Sequence, residues 1–193
     1  TSTKRGGAVL TGAGGFSTFG NSDARIGAAG SLAGGVLSTL DQIAQAFGAT
    51  VGGFNTTVGV RKDNIVVNPT GSASTKAKNG AVSFGQDEAA ALKFAIQDAI
   101  SDGVFEGLSA GVERLLRGEG DVERQMQKAL SFQGVFRDLE QRKDPEGFAL
   151  KELDKWRGQM DAIFAEAGAS AAEYAQLEEL TALRRKEIIE QLA

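Results

Sequence analysis

Carboxylates and lysines must carry any acid–base chemistry in this sequence, because its 193 residues include no His and no Cys. That absence removes the commonest general base and the commonest nitrogen ligand for metals. It also removes thiolate nucleophiles, disulfides and sulfur metal sites. A glycosidase would pair an acid such as Glu88 with a distant carboxylate, and no spacing in the chain selects the second acid. Gly12, Gly14 and Gly15 invite a phosphate-loop reading, but no Lys-Ser or Lys-Thr follows them and the GxGxxG pattern is incomplete. Lys76 and Lys78, in the polar loop GSASTKAKNG, could meet a phosphate; two exposed lysines are more simply read as solvated charge. The expectation is a protein without catalytic residues, cofactor, metal site or specific nucleic-acid partner.

The spacing with a clearer physical consequence is one of small residues. Gly27, Gly30, Gly34 and Gly35 fall within a helical pattern and leave part of its surface almost bare, so that another backbone can approach closely. Ile26, Val36, Leu37, Leu40, Ile43, Ala44 and Phe47 recur at intervals of three and four, with Asn21 or Ser22 as cap, Asp23 in the first turn and Gly48 as stop. Residues 21–48 therefore read as a small-residue amphipathic helix. Its candidate assembly contacts are Gly27, Gly30 and Gly34 for close approach, with Ile26, Leu37, Leu40 and Phe47 as an apolar stripe meeting other copies of the chain. The fifteen uncharged residues between Arg25 and Asp41 would span about 22 Å as a helix, against a hydrocarbon core of about 30 Å. That is too short for a stable span, so membrane perturbation by residues 6–48 stands as the alternative use of the same stretch.

Around this helix the chain changes character. Residues 1–85 carry seven Lys and Arg against three Asp and Glu, whereas residues 86–193 carry fourteen against twenty-two, so a net charge of -4 conceals about +4 followed by about -8. Residues 1–20 are Gly-rich, with no period surviving the glycines of 6–22, and read as an extended or looped segment ordered only by a partner. Lys4 and Arg5 precede an apolar run but no convincing cleavage site follows, and a first residue other than Met suggests a piece of something longer. Residues 49–117 hold the strand signals, Val58 and Val60, then Ile65 to Val67, then 81–84, followed by a helix with the stripe Leu92, Ala95, Ile96, Ala99 and Ile100. So small a sheet must pack on a helix or pair with a neighbour.

Residues 118–193 read as charged helices. The first, 121–142, buries Val122, Met126, Ala129, Leu130, Phe132, Phe136 and Leu139 in part. Asp144-Pro145 starts another, with Leu153, Trp156, Met160, Ile163 and Ala167 at coiled-coil spacing, and Gly168 stops it. Ser170-Ala171-Ala172-Glu173 is a capping box opening a last helix, which should fold back as an antiparallel hairpin. The fold class predicted is mainly α: an extended helical chain with a small antiparallel β-sheet near residues 56–84 and a C-terminal antiparallel helical hairpin.

The series VGVRKDNIVVNPTG, KAKNG, FGQDEAAALKFAIQDAISDGVFEGLSAGVERLL, DPEGFAL and AEAGASAAEYAQLEEL resembles the C-terminal part of the tail tape measure proteins of long, non-contractile-tailed bacteriophages and prophages. The resemblance covers residues 20–193 and is best over 53–183; it lies in segment order and wording, not in a catalytic motif. It implies a structural protein of the virion, held in the tail tube lumen or at the tail tip in several copies, commonly three. Its implied partners are copies of itself, the surrounding tail-tube and tail-tip ring proteins and, during infection, the host membrane. It also implies release from the tube ahead of the DNA. The length rule of such proteins belongs to the whole molecule, and this piece reads as an anchoring end.

Overall fold

The computed structural model describes residues 2–12 and 15–192. It divides into two compact units, Thr1–Leu130 and Ser131–Ala193. The first contains β1 (Arg5–Gly12), β2 (Gly15–Gly20), α1 (Asp23–Ala46), β3 (Thr50–Val51), β4 (Thr56–Arg61), β5 (Asn64–Asn68), β6 (Val82–Ser83), α2 (Glu88–Ser101), β7 (Phe105–Glu106), α3 (Ala110–Leu116) and the start of α4 (Val122–Lys143). The second contains the rest of α4, then α5 (Pro145–Ala167) and α6 (Ala171–Leu192). The chain is mainly α with a small antiparallel sheet.

That sheet has the order β2-β1-β4-β5-β6, every pair antiparallel. Residues 56–84 supply three of its strands, as the Val and Ile alternation predicts. The other two correct the sequence reading: residues 6–22 are not a segment waiting for a partner, because β1 pairs with β4 of the same chain from Arg5↔Arg61 to Leu10↔Thr56. Glycine is here a packing requirement. A Cβ on Gly6 would lie 2.2 Å from the backbone of Arg25 and Ile26, so α1 begins directly against the strand. On the opposite face, a Cβ on Gly7 would meet the Phe19 ring at 2.3 Å. Gly14, part of the phosphate-loop reading, lies outside the described residues.

Period-2 alternation then decides which side is core. Ala8 and Leu10 of β1, Val58 of β4 and Val67 of β5 are buried, together with Ala29, Ala33, Val36 and Leu40 of α1 and Ala95, Ala99 and Ile100 of α2. Burying each of the larger aliphatic side chains contributes about 1.5–3 kcal/mol. Thr56, also on this face, donates its hydroxyl to Asp98 Oδ2 at 2.8 Å and so joins the sheet to α2. A second ribbon, β3 with β7, closes the unit.

Helix ends follow local chemistry. Asp87 accepts the Ala90 N–H at 3.0 Å and opens α2, and Ser109 accepts that of Val112 to open α3. Ser22 takes the N-cap position of α1 without a side-chain cap bond. Asn21 instead ties down the start of β1, its Oδ1 accepting the Arg5 N–H at 2.8 Å. In the second unit Asp144 accepts the Gly147 N–H at 2.9 Å with Pro145 as first helical residue, and left-handed Gly168 ends α5. Ser170 and Glu173 satisfy each other's backbone N–H reciprocally at 3.2 Å, the capping box expected from their spacing.

Candidate assembly surfaces

The predicted contact residues on α1 divide between two faces. Leu40 is fully buried and Phe47 is 6% exposed, both within the chain's own core; Leu37 is half-buried against that core. Leu40 and Phe47 are thus taken up inside the chain's own core, while Leu37 keeps part of its surface exposed. Ile26 is half-buried beside β1. On the outward face Gly27 and Gly34 have nothing within 4 Å of a built Cβ, whereas Gly30 faces the Phe16 ring at 3.5 Å. Ala24, Ala28, Ser31 and Ser38 continue this exposed small-residue face. No described helix is long and apolar enough to cross a membrane.

A surface that the sequence reading under-weighted lies in the second unit. Phe132, Val135, Phe136 and Leu139 were expected to be partly buried, Val135 excepted, yet they are 39%, 65%, 58% and 50% exposed. Their spacing of i, i+3, i+4 and i+7 places them on one face of α4, and the Phe132 and Phe136 rings stack edge-on with centroids 5.1 Å apart. Ile163 of α5 and Leu180, Leu183, Ile189 and Leu192 of α6 are also exposed. Against these, Leu153 and Leu177 are the buried hydrophobic side chains recorded in this unit, with Thr181 beside them. The signal was available in the 132/135/136/139 pattern; periodicity announces an apolar face without saying what covers it.

Charged groups tie the helices of this unit together. Arg137 reaches Glu152 at 2.8 Å and lies over the Phe148 ring, and Lys151 pairs with Glu140. Between α5 and α6, Arg157 meets Glu178 at 2.7 Å, Arg185 meets Asp154 at 2.9 Å, Arg184 stacks on Trp156 and Phe164 packs against Tyr174. The Arg157 hydrogen bond holds the Glu178 carboxyl below its ordinary range, and Glu178 and Asp161 raise Arg157. These pairs are solvent-exposed and each contributes little, so they set register more than stability. Among the described residues the carboxyl pushed upward is that of Asp98 in the first unit, where burial outweighs the Thr56 hydrogen bond and nearby Asp102 adds repulsion.

Among the described residues no cluster of acidic side chains could hold a metal ion. Glu88, the acid named for a carboxylate pair, sits in the first turn of α2. Comparison with protein-family models, curated proteins and solved structures found no match.

Proposed function

We propose that the chain is a structural, self-associating component of a bacteriophage tail: the C-terminal part of a tape measure protein, held as a trimer in the tail tube lumen or tail tip and released during genome ejection. In this reading the full protein is an extended helical chain, α5 and α6 form an antiparallel helical hairpin, and the surrounding ring proteins are the outer partners. The carrying observation is the uncovered apolar face of α4, Phe132, Val135, Phe136 and Leu139. A unit this small needs a staple, and the usual choices are disulfides, a structural metal or association. The chain has no Cys or His to supply a disulfide or a zinc site, and association with further copies would cover this face. Gly27 and Gly34, open on α1, offer a second place for close approach.

The membrane alternative draws less support. Residues 6–48, which motivated it, contribute β1, β2 and α1 to the sheet and core of the first unit, so perturbing a bilayer would first require that unit to open. Native mass spectrometry of the whole chain at micromolar concentration tests the proposal. A species of three chains is expected, and a strictly monomeric chain would overturn it.

A further inference from the structure

The polar face of the sheet carries a pocket that the assembly role does not use. Asn68 at the end of β5 is fully buried, and its Nδ2 donates to the carbonyls of Ser74 and Asn79 at 2.9 and 3.0 Å. Its Oδ1 accepts from the Thr70 N–H and hydroxyl. One buried amide thus folds the loop between β5 and β6 back across the sheet, where Thr57 donates its hydroxyl to the Ser72 carbonyl. Glycine again permits the approach: a Cβ on Gly59 would lie 2.9 Å from Thr75 Cγ2. Between this loop, Arg5 and the Phe19 ring remains an open pocket of about 270 Å³, lined also by Ser72, Ser74, Thr75 and Lys76.

Its chemistry is one-sided. Arg5 and Lys76 bring two positive charges, no acidic side chain lines the pocket, and neither cation forms an ion pair among the described residues. Ser74 Oγ already accepts from the Lys76 N–H and from Asn79 Nδ2, which leaves its own proton to donate outward. Asp63, the acid in the turn after β4, is taken by Arg25 at 2.7 Å. Among the described residues, Thr75 Oγ1 and Arg61 Nη1 are buried side-chain polar atoms without a hydrogen-bond partner. Both belong to this face, since Arg61 stands directly opposite Arg5 in the β1–β4 register and directly opposed residues share a face. Neither atom reaches solvent and Arg61 lies outside the pocket lining, so the donors open to a ligand are Arg5, Lys76 and the outward proton of Ser74.

We infer that this pocket binds a small oxyanion of the phosphate class, with Arg5 and Lys76 as its charged contacts and the hydroxyl of Ser74 as a further donor. A phosphate offers the several acceptor oxygens and negative charge that the donor set lacks, and charge-assisted bonds are the strong ones. The source is either free phosphate or the phosphate monoester of a small polyol, whose carbon skeleton the Phe19 wall would accommodate.

Isothermal titration of the whole chain with inorganic phosphate, glycerol 3-phosphate and acetate, each at ionic strength matched with NaCl, tests the inference. Saturable binding of one phosphate per chain is expected. Arg5→Gln and Lys76→Gln should each weaken it on the order of tenfold or more, as for loss of a hydrogen bond to a charged group. Tighter binding of glycerol 3-phosphate than of inorganic phosphate would assign the source as a phosphorylated polyol; equal binding would assign free phosphate. Acetate binding as tightly as phosphate, heats that do not saturate, or equal binding by wild type and both charge variants would each overturn it.

Discussion

Replacing Val135 and Phe136 together by Ser removes the centre of the exposed face on α4. The two side chains are 65% and 58% exposed; taking a Phe as roughly 200 Å² and a Val as somewhat less, about 220 Å² of apolar surface is uncovered in each copy. Covering that area would contribute about 5 kcal/mol per copy, or about 15 kcal/mol over the proposed trimer, at roughly 25 cal/mol per Å². If neighbours cover only a third of it, the double variant still loses about 5 kcal/mol, nearly four decades in the overall association constant. Folding of the separate chain should change little, because exposed positions away from caps and cores usually move stability by about 0.5 kcal/mol or less. Sedimentation equilibrium from about 1 to 100 µM reads the first quantity, and urea unfolding followed by circular dichroism reads the second. A variant that assembles as strongly as wild type, with unchanged helicity, would refute the assignment of this face.

Gly6→Ala should cost about 3 kcal/mol or more in urea unfolding, since its Cβ would fall 2.2 Å from rigid α1 backbone; a loss below about 1 kcal/mol would contradict the close packing of α1 on β1. Gly34→Ala should stabilise the free chain by up to about 1 kcal/mol, because its Cβ meets nothing within 4 Å. The bulkier pair Gly27→Leu with Gly34→Leu should lower the assembled fraction in sedimentation, and an unchanged fraction would remove this face from the interface. Asp98→Asn should raise the melting temperature at pH 7. The Asp98 carboxyl is raised above its ordinary value near 3.8 by burial, so the folded state holds its proton more tightly than the unfolded one. Stability is accordingly lost as pH rises from below that value through the raised one, and the advantage of Asn should vanish below about pH 3.8. An advantage of Asn independent of pH would point instead to packing.

Helix ends were the most legible feature of the chain. Asp144-Pro145 and Ser170 to Glu173 act within four residues, so their capping bonds depend on little beyond local sequence. The strands of 56–61 and 64–68 were legible for a similar reason, being β-branched runs separated by a two-residue turn. β1 was not legible, because it is specified by β4 some fifty residues away and by a helix that needs glycine beneath it. The burial of Leu40 and Phe47 was hidden for the same reason: they form an apolar stripe of α1 that joins one core with Ala8 and Leu10 of the then unrecognised β1. Lys76 read as solvated charge because nothing local reveals that Asn68 folds its loop beside Arg5. Periodicity gives the direction of a side chain relative to its own element, while identity of the covering partner is a property of the whole chain.

A symmetry-resolved reconstruction of a tail tip from the proposed phage particle tests the proposed role most directly. If the proposed tail role holds, three copies of this chain lie on the tail axis, with the α4 faces of Phe132, Val135, Phe136 and Leu139 turned toward one another. Tail density assigned throughout to other chains, or this chain present with that face in solvent, would contradict it.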